Sequence, residues 1–371
     1  MPSSDEKDFV KASSIDTKTG NGSIIKSLEV IRGVAALSVV LTHAEIHLPA
    51  IQYAGVVGVD VFFVLSGFLM LHTFHKDRAG IKFLIHRIIR IYPIYIIISF
   101  PLIVTYFPFI NDKDKLSFLF HNITLLPGVS NSYERANIAS WTLMYELYFY
   151  VVFSLVSAFS KNKMIIFSCV SLLLFSLFIY SRYNYSLGVA GWADLTLKNI
   201  FGNYILLDFM AGMLIGLLYR HIARVSQNIP AVFTISVSLI LYLLTCINVT
   251  SELPSGFEKT YQSYVMTHSS LPAAIIILLL VMSKVNSQGW LMSKFCYLGK
   301  CSYSIYLCHV YFVSENRTGV KYFLDYFIIH TDYIFPYFSN FLLVIISSIA
   351  GILLYERVEK PFMIAFHARW R

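Results

Sequence analysis

Residues 55–74 read GVVGVDVFFVLSGFLMLHTF, twenty positions in which Asp60 is the sole charged side chain. About 20 mostly apolar residues in a helix, each rising 1.5 Å, match the hydrocarbon thickness of a bilayer. A helix of a soluble protein keeps a polar face, and this stretch has none. Similar runs recur at 28–48, 91–110, 138–159, 164–181, 200–219, 230–250, 267–284, 295–314 and 336–355, so about ten transmembrane helices are predicted. The composition agrees. Of 371 residues, 57% are hydrophobic and 13% charged, about half the roughly 25% charge of a soluble domain, and the mean hydropathy is +0.65. These figures predict an all-α polytopic membrane protein and exclude a soluble enzyme, because the polar faces of soluble helices have no residues to build them.

Charge sets the orientation. With the N-terminus in the cytoplasm, 20 Lys and Arg fall on the cytoplasmic side and 8 outside, the bias expected of inward-facing loops. Both termini are then cytoplasmic, with a polar tail over 1–26, a transmembrane domain over 27–356 and a second tail over 357–371. The formal charge of +8 is accounted for by topology and lipid headgroups and calls for no nucleic acid. The most cationic loop is HKDRAGIKFLIHRIIR, residues 75–90. Five cysteines make no disulfide framework, and Cys296, Cys301 and Cys308 fit no zinc spacing. Pro93, Pro101 and Pro108 predict kinks in the third helix.

Ionisable groups at membrane depth are costly and therefore functional candidates. Four stand out: His43, Asp60, Glu146 and His309. Counted from the predicted helix ends, His43 lies about 22 Å and His309 about 21 Å from the inner side, while Asp60 and Glu146 enter from outside by about 8 and 12 Å. All four fall in the outer half. A carboxylate beside an imidazole fixes its tautomer and stabilises its cation, as a general base needs when it takes a proton from an alcohol. His43 is thus the candidate base, Glu146 its partner, and Asp60, His309 and Ser66 supporting polar groups. Taken singly, a buried His or Asp is as readily a hydrogen-bonded packing element. Arg32 precedes His43 by eleven residues, a rotation of about 20° beyond whole turns, so both lie on one helix face about 16 Å apart. Arg32 falls near the level at which Arg87 and Arg90 open the third helix, and three guanidiniums there suit phosphate groups. No carboxylate-rich cluster suggests a metal.

These same segments resemble the membrane acyltransferase 3 family of O-acetyl and related acyl transferases. The resemblance rests on LEVIRGVAALSVVLTH (28–43), GVDVFFVLSGF (58–68), FLIHRIIRIYPIY (83–95), SWTLMYELYFY (140–150), LGKCSYSIYLCHV (298–310) and ERVEKPF (356–362), in order along nearly the whole chain. It implies a ten-helix bundle that takes an acyl group, usually acetyl, from coenzyme A at the cytoplasmic side. The acceptor implied is a hydroxyl of a surface polysaccharide or its lipid-linked sugar precursor, and the place implied is a bacterial inner membrane. By position, the resemblance makes His43 the catalytic histidine, Arg32 its motif partner, Glu146 the acidic residue of the fourth span, and Arg87 with Arg90 the donor-binding segment. Two departures appear: His86-Arg87 replaces a double arginine, and no proline follows the FY of the fourth-span motif. A covalent route through Ser66 or a tyrosine stays open beside direct attack.

Two other functions fit the residues. A proton-coupled sugar or lipid transporter would use the buried His and Glu as a relay, although neither an inverted repeat nor paired broken helices are evident. An inward-facing acylase of a small cytoplasmic compound would use the same base from the other side. Outside the helices, Tyr183, Tyr185, Trp192, Tyr261 and Tyr264 suit sugar stacking or an interfacial aromatic belt, and Asn122, Asn248 and Asn316 begin N-x-T sequons.

Overall fold

The computed structural model describes residues 21–44, 46, 48, 51–128, 135–184, 196, 200–225, 230–251, 258–283, 289–313 and 338–369. Helices dominate them: α1 (Asn21–His43), α2 (Ala54–His72), α3 (Ile81–Tyr106), α4 (Lys115–Thr124), α5 (Ser140–Phe159), α6 (Lys163–Asn184), α7 (Ile205–Val225), α8 (Ala231–Ser251), α9 (Glu258–Met282), α10 (Trp290–Cys308), the single turn α11 (Val310–Val313), α12 (Phe338–Leu354) and α13 (Lys360–Arg369). Each of the ten predicted apolar stretches carries a helix. Among the described residues six helical segments are long and apolar enough to cross a membrane, namely α2, α3 with its 3-10 extension to Phe109, α5, α6, α7 and the run from Phe338 to Phe366. Shorter apolar segments lie within α8 and α9. In α1 and α10 the apolar run is broken by Lys26, Glu29 and Arg32 and by Lys294 and Lys300.

The tails are partly helical, since α1 begins at Asn21 and α13 reaches Arg369. Pro93 and Pro101 sit inside a continuous α3, while Pro108 opens a 3-10 turn, Phe107–Phe109. None of the five cysteines is joined in a disulfide.

The chain forms two compact units, one of Met1–Gly58, Tyr219–Leu244 and Ile275–Arg371, the other of Val59–Leu218 and Thr245–Ala274. In the first, α1 and α10 run parallel. A Cβ on Gly299 would stand 1.9 Å from the Glu29 carbonyl oxygen, and one on Gly33 would stand 3.0 Å from the Gly299 nitrogen. The backbones therefore touch where side chains would hold them apart, as small residues permit between membrane helices. Ser27 reinforces the first turns by donating to the Leu280 carbonyl at 3.0 Å. α12 meets α10 the same way, with Gly351 against Ile305. It then widens into a π-turn, Tyr355–Glu359. This turn aims two carboxylates at α10: Glu356 accepts from Tyr297 at 2.9 Å and Glu359 from Ser304 at 2.5 Å.

In the second unit α2 and α7 also run parallel. Gly212 lies under the Val64 carbonyl, Gly216 under that of Phe68, and Gly67 under that of Phe209. Gly212 and Gly216 form a G-x-x-x-G pair, the spacing that lets helix backbones approach. Aromatic rings fill the surrounding core, with Phe149 stacked on Phe209 at 4.1 Å and Phe83 against Phe153 at 4.9 Å. Gly80, at φ +64°, turns the chain into α3 and donates its N–H to the Ser157 hydroxyl at 3.0 Å. α4 is amphipathic: Phe118 and Asn122 are buried, whereas Leu116, Phe120 and Ile123 are exposed. The Asn122 amide donates to the Phe118 carbonyl and accepts from the Ala136 N–H, so this sequon is closed to glycosylation in the folded chain. Asn248 is exposed at the end of α8, and Asn316 lies outside the described residues.

Backbone contact at the glycines predicts a graded stability series. A Cβ would approach a carbonyl oxygen to 1.8 Å at Gly212, 2.1 Å at Gly67 and 2.9 Å at Gly216. Overpacking a tight core costs roughly 1–3 kcal/mol, against a helix-propensity gain of about 1 kcal/mol from Gly to Ala. Gly212→Ala and Gly67→Ala should lower the melting temperature of the detergent-purified protein most, and Gly216→Ala should lower it least.

Candidate active site

His43 ends α1 and His309 follows α10, and the parallel packing of these helices brings the two rings together. Their centroids are 5.0 Å apart with the planes tilted by 54°. His43 is half-buried and His309 fully buried. The Nδ1 atom of His43 is 2.9 Å from the Val39 carbonyl, one turn back on its own helix, and Nδ1 of His309 is 2.5 Å from the Tyr306 carbonyl. A carbonyl oxygen only accepts, so each Nδ1 carries the hydrogen and donates. In each neutral ring the lone pair is therefore on Nε2, the form of a ready base. The Val39 carbonyl, on the same helix, is thus one group that fixes the His43 tautomer.

Arg32 lies on the same continuous helix as His43, so the predicted shared face holds. Its guanidinium is 3.7 Å from the Glu29 carboxylate, with both side chains largely buried. Glu29 also has one buried oxygen, Oε2, without a hydrogen-bond partner. Arg32 thus has an acidic neighbour on its own helix.

The second unit holds the other predicted residues. Arg87 stands over two rings, 5.1 Å from the centroid of Phe83 and 5.2 Å from that of Tyr150. Such stacking holds a guanidinium in place while leaving its edge free to bind, which a lysine would not reproduce. The Tyr150 hydroxyl donates to Glu146 Oε1, and Tyr150 feels the charges of both Arg87 and Arg90. Arg87, Arg90 and Glu146 are therefore joined through one tyrosine. Depths counted from separate helix ends set Glu146 and these arginines apart, whereas α5 places Tyr150, one turn beyond Glu146, against the first turns of α3. The predicted pairing of His43 with Glu146 joins residues of different units. Asp60 is fully buried on α2, where its Oδ2 accepts from Ser269, and Ser66 is half-buried further along the same helix.

Asp208 escaped the sequence reading. It is buried, in the first turn of α7, within a predicted span, so the insertion cost that singled out Asp60 applied to it equally. Of the aromatic residues suggested for sugar stacking, Tyr183 is exposed on α6. Tyr185 and Trp192 lie outside the described residues, as do the side chains of Tyr261 and Tyr264. Among the described residues no group of three or more His, Cys, Asp or Glu side chains is placed to hold a metal ion.

An apolar helical chain with a paired-histidine end and a braced arginine segment has the makings of a membrane group-transfer enzyme. A model of the acyltransferase domain of the acyltransferase 3 family matches residues 25–357, and the chain belongs to that family. Relatives include ExoZ of Rhizobium meliloti (strain 1021), an exopolysaccharide production protein. It is 25% identical over 323 residues, covering 85% of this chain and 92% of that one. ORF330 of Acidianus two-tailed virus, named as a candidate acetyltransferase, is 25% identical over 293 residues, covering 78% of this chain and 83% of its own. Protein 2 in the picA locus of Rhizobium radiobacter is 38% identical over 86 residues, 22% of this chain and 44% of that protein. No solved structure matches.

Nitrogen NMR of histidine-labelled protein tests the tautomers. At neutral pH, His43 and His309 should both show a protonated Nδ1 and an unprotonated Nε2, and substitution of either residue should remove one such pair of resonances.

Proposed function

We propose that this acyltransferase is an integral membrane O-acetyltransferase. It moves an acyl group from cytoplasmic acyl-CoA, most simply acetyl-CoA, to a hydroxyl of a surface polysaccharide or lipid-linked sugar. His43 is the general base. The observation that carries this reading is the donated Nδ1–H of His43, which leaves Nε2 as an acceptor beside His309 in a chain of an acyltransferase family. With a thioester carbonyl nearby, Nε2 takes the proton of the acceptor hydroxyl as its oxygen attacks the acyl carbon. The carbon–sulfur bond breaks, and the departing coenzyme A thiolate takes up a proton. His309, with its buried Nε2 unpartnered, steadies the charge that His43 gains.

Coenzyme A is anionic at its nucleotide end and thin along its pantetheine arm. Arg87 and Arg90 are assigned to its phosphates, because aromatic bracing pre-organises Arg87 for bidentate contact. Glu146, reached through Tyr150, orients this segment. Arg32, held by Glu29, takes a positioning part on the α1 face. The exopolysaccharide role in the name of ExoZ favours a sugar acceptor and a bacterial inner membrane as the site. Ten crossings with both termini cytoplasmic, as the charge bias predicts, would let the donor arrive from one side and the acceptor from the other.

The test is transfer of label from radioactive acetyl-CoA to candidate glycans by purified protein. His43→Ala should lose about 10²–10⁴ of the rate, the usual worth of a general base, while keeping coenzyme A affinity. A variant retaining a tenth of the rate would exclude His43 as the base. Arg87→Ala should weaken coenzyme A binding about ten- to hundredfold, since a hydrogen bond to a charged group contributes ~1.5–3 kcal/mol. In sealed vesicles of known orientation, acetyl-CoA supplied only on the side of residues 75–90 should acylate an impermeant glycan on the other. Equal product with both substrates on the donor side would favour the inward-facing acylase.

A further inference from the structure

The register of α2 against α7 fixes a second pair of ionisable groups, away from the histidines and independent of the proposed reaction. Val64 faces Gly212, and one turn on Phe68 faces Gly216. One turn back, the same register sets Asp60 opposite Asp208. These are the only acidic residues in the buried set among the described residues, 0% and 1% exposed. Ser269 on α9 donates to Oδ2 of Asp60. Oδ1 of Asp60 and both oxygens of Asp208 are buried without a hydrogen-bond partner.

Among the described residues no positive charge acts on them. The groups acting on Asp60 are Ser269 and Asp208, and those acting on Asp208 are Asp60 and Ser270. The titratable neighbour on α9, His268, is exposed. Two carboxylates facing each other away from water cannot both keep their charge. Nor can the crossing open to admit solvent while Gly212 and Gly67 hold the backbones in contact. The acceptors outnumber the donors, and the missing element is one hydrogen.

We propose that Asp60 and Asp208 form a proton-binding site at this crossing, with one proton held between the two carboxyl groups. Asp60 already accepts from Ser269, so it is the ionised partner. Asp208 is the acid, donating its O–H to Oδ1 of Asp60 and presenting its carbonyl oxygen toward Ser270. The single negative charge left on Asp60 then has two donors. No bond other than O–H is made, and the proton comes from solvent. Binding this proton closes α2 on α7. Releasing it would place two charges across a contact too tight to relax, so proton loss and helix separation are coupled. A metal ion fits less well, because two carboxyls and two hydroxyls give fewer oxygens than the shell of calcium or magnesium demands.

Infrared spectroscopy of the full-length protein in detergent reads the site directly. At neutral pH the wild type should show the carbonyl stretch of a protonated carboxyl that shifts in heavy water. Asp208→Asn replaces the O–H donor with an amide N–H of the same shape. It should keep the wild-type melting temperature and lose intensity in that band. Ser269→Ala, a mild change should the first variant fold poorly, should shift the band by removing a donor from Asp60. A spectrum unchanged in both variants would overturn the proposal. So would a melting temperature that rises when sodium chloride replaces choline chloride and no longer does so in Asp208→Asn, since the site would then hold sodium.

Discussion

Backbone-to-backbone contact at glycine is the constraint from which the rest of this structure follows. In water, two helices are driven together by burying apolar faces, but lipid is as apolar as leucine and offers no such drive. What remains is close packing and the bonds that it permits. At Gly299 against Glu29 and at Gly212 against Val64, the helices approach until a single methyl group would not fit. Each contact fixes axial register to within a fraction of a turn. That register decides which polar residues meet: His43 with His309 in one pair, Asp60 with Asp208 in the other. A β-branched residue at either glycine would separate the axes and dissolve both the packing and the chemistry.

The bilayer-scale stretches and their helical state were legible from hydropathy, as was the presence of ionisable groups within them. Partnership was less so. Hydropathy measures how far each residue lies along its own helix and carries nothing about which helix stands beside it. Hence hydropathy did not show that the Glu146 carboxylate accepts from Tyr150, whose ring also lies beneath Arg87. The tautomer of His43 depends on the Val39 carbonyl, a group every residue owns and no motif can flag. Asp208 was open to the same insertion-cost argument as Asp60 and was passed over. The G-x-x-x-G that follows it signals close helix approach, but only the packed structure names α2 as the partner.

Aromatic bracing and ion pairing divide the arginines into two kinds. Arg87 is held by the faces of Phe83 and Tyr150, contacts that leave its hydrogen-bonding edge unspent. Arg32 is held by a carboxylate, which consumes part of its charge. The first arrangement suits capture of an anion and the second suits setting the position of a helix. The π-turn at Tyr355–Glu359 adds two further carboxylates against α10.

The α1–α10 pair also imposes an order of events on biosynthesis. The thiol of Cys296 reaches the carbonyl of Lys26 across 270 residues of chain. At the usual 5–20 residues per second, α1 leaves the ribosome roughly 15–50 s before its partner exists. Throughout that interval α1 can pack on the start of α2, where Gly58 meets the Ala35 carbonyl and Gly55 donates its N–H to Thr42, while the face that carries Glu29 waits for Gly299.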